Sequence, residues 1–303
     1  MVSVIVGTYN GEKYLAEQLN SIASQTYNDI EIIICDDCSA DNTHSIVKKF
    51  AEQHSNVSYH FNDRNLGVNK NFEQGFLLAK GDYIAISDQD DIWKPEKIEE
   101  QMLLFSKEDV LVVHSASALF KDDNLPVHKT IAKGSKQMIG NDSKKLLLRN
   151  TIAGHNIIFR KELLKHILPI PEGVYYDWWL CEVATCYGEI AATNTILAYQ
   201  RQHENNVTVY DRTTLKQNYR EYAERKNALE AFLTIKDLKA TDKIFIQNLL
   251  SNLKTLESKK FSPELFFFLL KNASILFFYK TKIIPFFSYL KTAYRMSFKT
   301  NKK

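Results

Sequence analysis

At 303 residues, 45% apolar and 25% charged, the chain can bury a large core in one domain or two. A net charge of +3 gives no ground for nucleic acid as partner, and four cysteines do not make a disulfide scaffold. No apolar run reaches the ~18 residues of a membrane span, and Met1 leads straight into a strand-like run without a signal peptide, which together imply a reduced, cytosolic chain.

Val2 to Val6 reads as a short buried strand, followed by a turn holding Gly7 and Gly11. Helical spacing from Glu12 to Ala23 puts Tyr14, Leu15, Leu19 and Ile22 on one side. Ile30 to Cys35 is a second strand that ends in Asp36-Asp37, and Ser39 to Thr43 offers caps for a helix to about Phe50. Val57 to Phe61 is a third strand, trailed by Arg64 and Gly67. A helix then runs to about Ala79, with Gly81 closing it. Strand alternating with helix at this spacing predicts βαβ units and a mainly parallel sheet. The dinucleotide and Walker A glycine patterns are absent, so phosphates require a metal and side chains instead.

The fourth strand, Tyr83 to Ser87, runs directly into Asp88-Gln-Asp90-Asp91. Read as extended chain, Asp88 and Asp90 point the same way, a DXD arrangement suited to hard Mg²⁺ or Mn²⁺. Asp36 and Asp91 read as turn or capping residues. Thr8, Tyr9, Asp36, Asp37, Arg64, Asp88 and Asp90 all fall where strands end, which predicts one crevice beyond the carboxyl edge.

Lys94 to Phe105 reads as an amphipathic helix and Val110 to Phe120 as a strand. Lys121 to Asp142 is polar and irregular, in keeping with a lid. Gly154 to Phe159 is strand-like. Asp177 opens a helical pattern that Gly188 closes, and Ile190 to Tyr199 leads into Arg201-Gln202-His203. A charged helical stretch covers about Arg212 to Ser258. Lys259 to Lys303 is rich in Phe and Lys, with ten basic residues against one acid; that +9 leaves −6 for residues 1–258. Two readings fit this tail: a core helical hairpin, or a segment that lays aromatics and lysines on an anionic membrane surface.

Val2 to Asn10, Ile30 to Asp37, Asn65-Leu-Gly67, Asp88 to Trp93, Asp177-Trp-Trp179 and Arg201-Gln-His203 together resemble family-2 inverting glycosyltransferases of the GT-A fold, and most closely their bacterial rhamnosyltransferase-like members. The resemblance spans roughly residues 1–210; residues 211–303 read as a helical extension whose end, 259–303, associates with membrane. It implies that Thr8, Tyr9, Asp37, Arg64 and Asp88 contact the nucleotide, that Asp88, Asp90 and His203 hold Mn²⁺ or Mg²⁺, and that Asp177 is the general base. Trp93, Trp178, Trp179 and His155 become candidates for the sugar and acceptor side, the tryptophans equally readable as packing residues. Cys38, His155 and Tyr176 depart from the family pattern, which commonly has glycine, a small residue and histidine at these points.

The activity so implied is metal-dependent transfer of a sugar, with inversion, from a nucleotide-diphosphate donor to a growing, lipid-linked bacterial polysaccharide, by a peripheral protein on the inner membrane face. dTDP-rhamnose and a UDP-hexose are both open as donors, since nothing in the sequence reads a thymine methyl or a sugar C6. A scaffold that binds nucleotide sugar without transfer is the alternative from another class.

Overall fold

The computed structural model describes residues 1–121, 136–204, 215–280 and 285–299, with backbone only for 215–219. Most of the irregular stretch from Lys121 to Asp142 lies outside these residues, as do Asn205, Asn206 and the lysines at 282, 302 and 303.

Eight strands form one sheet: β1 Val2–Thr8, β2 Ile30–Asp36, β3 Val57–Phe61, β4 Tyr83–Ser87, β5 Ile92–Trp93, β6 Val110–Lys121, β7 Ile157–Arg160 and β8 Glu189–Gln202. Their order is β3-β2-β1-β4-β7-β6-β8-β5. β1 pairs in parallel with β2 and β4, β2 with β3, and β6 with β8. β7 runs antiparallel between β4 and β6, and β5 antiparallel to β8. The sheet is therefore mixed and mainly parallel, as the alternating pattern predicts. Val2, Val4, Ile5, Val6, Ile32, Ile34, Ile84 and Ile86 are fully buried, the continuous apolar signature of strands covered on both faces.

The helices are α1 Leu15–Ala23, α2 Thr43–Gln53, α3 Val68–Leu78, α4 Lys97–Met102, α5 Leu164–Ile167, α6 Tyr176–Tyr187, α7 Leu215–Phe232, α8 Ala240–Lys254, α9 Pro263–Lys271, α10 Ala273–Leu276 and α11 Pro285–Met296. Several are shorter than their apolar patterns. The run Lys94–Phe105 yields only α4 plus a 3-10 turn, and Gly154-His155-Asn156 is a 3-10 turn before β7 rather than strand. α6 buries Tyr176 and every residue from Trp178 to Thr185, so it is a core helix without a polar face. Phe232 on α7 packs against Trp178 and Trp179, and Leu249, Leu265, Leu269 and Phe277 continue the same apolar cluster into the C-terminal helices.

That cluster divides the aromatic tail. Leu265, Leu269, Ala273, Leu276, Phe277 and Ala293 pack inward, while Phe267 and Phe287 are 65% and 68% exposed. Among the described residues no helix is long and apolar enough to cross a membrane.

Candidate active site

A cleft of about 1740 Å³ opens at the carboxyl ends of β1, β2 and β4, where an open α/β sheet is expected to bind ligands. Thr8, Tyr9, Asp37, Asp88, Asp90, His155, Asp177, Trp178 and His203 line it, so residues from across the chain meet at one place.

On the β1–β2 side, Tyr9 is half exposed and its backbone is clamped by Gln89: the Tyr9 N–H donates to Oε1 at 2.8 Å and its carbonyl accepts from Nε2 at 3.0 Å. Thr8 donates to the buried Asp36 at 2.7 Å, and Ser39 and His44 bind the same carboxyl, so Asp36 organises the turn from within. Asp37 accepts from Asn62 and the Leu66 N–H at Oδ1 and from the Gly67 N–H at Oδ2. A carboxylate has about four acceptor sites, which leaves one on Oδ2. Cys38 has φ of 65°, in the left-handed region, which accounts physically for a glycine preference there. Arg64 is exposed and does not line the cleft; Asn65 and Gly67 do.

The acidic segment after β4 is a turn, not extended chain, and this corrects the expected geometry. Asp88 and Asp91, three apart, come together, and both approach His155 Nδ1 at 3.5 and 3.4 Å. Among the described residues, these are the three whose ligand atoms lie within 4.8 Å of one another. Asp90 points away and meets His203, with Oδ2 to Nε2 at 2.7 Å. The two groups differ in access. The Asp88 side chain is 41% exposed and those of Asp90 and His203 14% and 17%, whereas Asp91 and His155 are each 2% exposed. Burial alone would pull His155 down, but the Asp91 and Asp88 carboxylates outweigh it and hold the ring above its ordinary value. Sequence reasoning missed Asp91, because adjacent identical residues give no sign of which one is buried.

Arg201 locks this turn. Its backbone N–H donates to Asp91 Oδ1 at 3.2 Å, its Nε to the Asp90 carbonyl at 3.2 Å, and its guanidinium pairs with Glu17 between the rings of Tyr14 and Phe120. In the Arg-Gln-His run, Arg201 near the end of β8 is thus structural, while His203 just beyond the strand meets Asp90 in the cleft.

Asp177 sits in the first turn of α6, where Oδ1 accepts the Trp178 N–H at 2.8 Å. Burial, helped by Asp88, pushes its carboxyl up to about 7. Trp178 lines the cleft and donates to the Leu146 carbonyl. Trp179 and Trp93 do not reach it: Trp179 donates to the Ile167 carbonyl within the core, and Trp93 is 2% exposed beneath the Lys97 ammonium. Both are too large and apolar to stay at a wet wall when core space is adjacent, and both are packing residues. Gly154 is required beside Tyr176, since a Cβ there would lie 2.2 Å from the Tyr176 hydroxyl.

Comparison with known proteins agrees with this arrangement. The profile of glycosyl transferase family 2 matches residues 3–168. An uncharacterized glycosyltransferase of Nostoc sp. is 31% identical over 68% of this chain and 66% of its own length. TuaG of Bacillus subtilis, named for teichuronic acid biosynthesis, is 29% identical over 51% of this chain and 59% of its own. The chain thus spans about two thirds or less of these relatives. Among solved structures, S. aureus TarS in complex with UDP-GlcNAc superposes with a TM-score of 0.61 at 21% identity, covering 91% of this chain and 81% of that one. The mannosyltransferase PcManGT from Pyrobaculum calidifontis, in complex with GDP-Man and Mn²⁺, gives 0.59 at 17%, covering 97% and 84%. These likenesses establish a GT-A fold. With more than half of its length matched, including the strands and the acidic turn that build the cleft, the chain belongs to glycosyl transferase family 2.

Proposed function

We propose that this protein is an inverting, divalent-cation-dependent glycosyltransferase that moves a sugar from a nucleotide-diphosphate donor to a hydroxyl of a growing polysaccharide. One observation carries the reading: a single cleft holds an accessible acid–imidazole pair, Asp90 and His203, and a separate carboxyl, Asp177, near the neutral range.

A cation that also meets a diphosphate needs open positions. Asp90, His203 and the exposed Asp88 suit that demand, since all three line the cleft. Asp91 and His155 are almost wholly buried, 3.4 Å apart, and support the turn beneath them. When bound, the ion supplies charge neutralisation to the leaving diphosphate. Thr8, Tyr9 and Asp37 form the nucleoside end, where the remaining acceptor site of Asp37 suits an imide N–H. Asp177 takes the proton of the acceptor hydroxyl as that oxygen bonds to the anomeric carbon and the carbon–oxygen bond to the diphosphate breaks. Attack from the face opposite the leaving group inverts the centre.

A thermal-shift panel of UDP-, dTDP- and GDP-sugars with Mn²⁺ tests the donor class. A sugar nucleotide at a hundredfold excess over its Kd should stabilise the protein by about 2.7 kcal/mol, and only with the ion present. The dTDP-rhamnose and UDP-hexose readings differ in which arm responds. Slow hydrolysis of the responding donor separates an enzyme from a scaffold, and no response from any nucleotide would remove the proposal.

Membrane association remains part of this reading. Phe267, Phe286 and Phe287 are exposed on the C-terminal helices, as are Lys271 and Lys291. Aromatics at an interface with lysines over anionic lipid fit an acceptor carried on the cytoplasmic leaflet. Changing the three phenylalanines to serine should lower co-sedimentation with anionic vesicles by roughly tenfold or more at an unchanged melting temperature. Equal sedimentation of variant and parent would refute it.

A further inference from the structure

The cleft has a second wall that the roles above leave unused. Arg220 and Arg225 on α7, Arg295 on α11, Lys280 after α10, and Arg149 after the Leu146 turn all line it. Among the described residues that line the cleft, the acids carried by these same elements are Glu221 and Glu224, so the wall they form has five cations against two acids. The rest of the lining is richer in acids, with Asp37, Asp88, Asp90, Asp91, Asp177 and Glu204 against Lys13, Lys121 and Arg201.

Much of this wall is held in place. Arg220 donates Nε to Glu224 at 2.7 Å and Nη2 to the Tyr175 hydroxyl at 2.7 Å. Tyr175 immediately precedes α6, so this guanidinium is tied to the side chain two residues before the proposed base. Arg225 donates Nε to the Leu148 carbonyl at 3.0 Å and Nη2 to Glu221 at 2.6 Å. Two of the five donors on each guanidinium are used in these contacts. Lys280 is bonded to the Thr292 hydroxyl, and among the described residues Arg295 is exposed with no carboxylate partner.

We infer that this wall is an acceptor subsite for an anionic saccharide, one bearing a carboxylate or a phosphodiester within reach of Arg225 and Arg295. The inference rests on the transferase reading and deepens it. A neutral sugar gains nothing from an excess of guanidinium, whereas fork-shaped donors match carboxylate and phosphate oxygens two at a time. The split of charge also orients the acceptor. Its anion is repelled by the acid-rich part of the lining and drawn to the wall, which turns the hydroxyl toward Asp177.

The test uses the full chain with Mn²⁺ and a nucleoside diphosphate, titrated by calorimetry with three oligomers of equal length: oligogalacturonate, a glycerol-phosphate oligomer and neutral dextran. One or both anionic oligomers should bind, more weakly as salt rises, and dextran should not. Arg225→Gln with Arg295→Gln should weaken anionic binding roughly tenfold or more while the nucleotide thermal shift stays as in the parent. Equal binding of dextran, or unchanged anionic affinity in the variant, would overturn the inference. A variant that loses the nucleotide shift instead would assign the wall to the donor diphosphate and equally overturn it. Failure of the transferase reading looks different, since the parent protein would then show no nucleotide shift at all.

Discussion

Replacing Asp177 by Asn will lower kcat for sugar transfer by roughly 10²- to 10⁴-fold, the range a positioned general base contributes, while sugar-nucleotide binding survives. The substitution keeps shape and the hydrogen bond from the Trp178 N–H but removes the group that accepts the proton. The pH dependence follows from the same carboxyl. Burial raises it to about 7, so the protonated, inactive form dominates below that value. In the parent enzyme kcat/KM should therefore climb with pH through about 7 and level off above it. That limb should vanish in the variant's residual activity. Turnover near the parent level, or an unchanged acid limb in Asp177→Asn, would take Asp177 out of the mechanism.

Much of this site was legible because topology, not composition, assembles it. Four apolar runs with helices between them force parallel strands, and parallel strands put their carboxyl ends on one edge. Thr8, Asp37 and Asp88 could therefore be brought together from their positions after strands alone. The turn at Asp88–Asp91 could not. Period-two reasoning assumes the strand continues, whereas the chain bends at Gln89 and Asp90, pairing Asp88 with Asp91 and sending Asp90 to His203. Burial of the tryptophans was equally hidden, since an indole reads the same at a wet wall and in a core. The basic wall depends on how α7 packs against α6 and how α10 and α11 pack against α9, a tertiary fact with no local signature. Within the charged stretch from Arg212 to Ser258, α7 buries Ala228, Leu229 and Phe232 while Arg220 and Arg225 line the cleft.

The two acids of the turn should separate cleanly by mutation. Asp90→Ala will abolish the cation-dependent part of nucleotide binding, so the stabilisation of about 2.7 kcal/mol at a hundredfold excess of ligand should disappear with Mn²⁺ present. The apoprotein should not melt earlier. Burial and the neighbouring Asp88 both raise the Asp90 carboxyl, so at neutral pH its ionised form is carried at a cost that alanine relieves, partly offset by the lost contact with His203. Asp91→Ala is the contrasting case. It removes the enclosed partner of His155 and the Asp91 acceptor of the Arg201 N–H; because burial pushes the Asp91 carboxyl up to about 7, the loss is that of buried polar contacts and should cost about 1–3 kcal/mol of stability before any ligand is added. Calorimetric titration of Mn²⁺ and nucleoside diphosphate into Asp90→Ala, beside thermal melts of both variants, reads the two effects apart. Parent-like affinity in Asp90→Ala would place the cation on another set of ligands, and a parent-like melting temperature in Asp91→Ala would deny that the buried pair supports the turn.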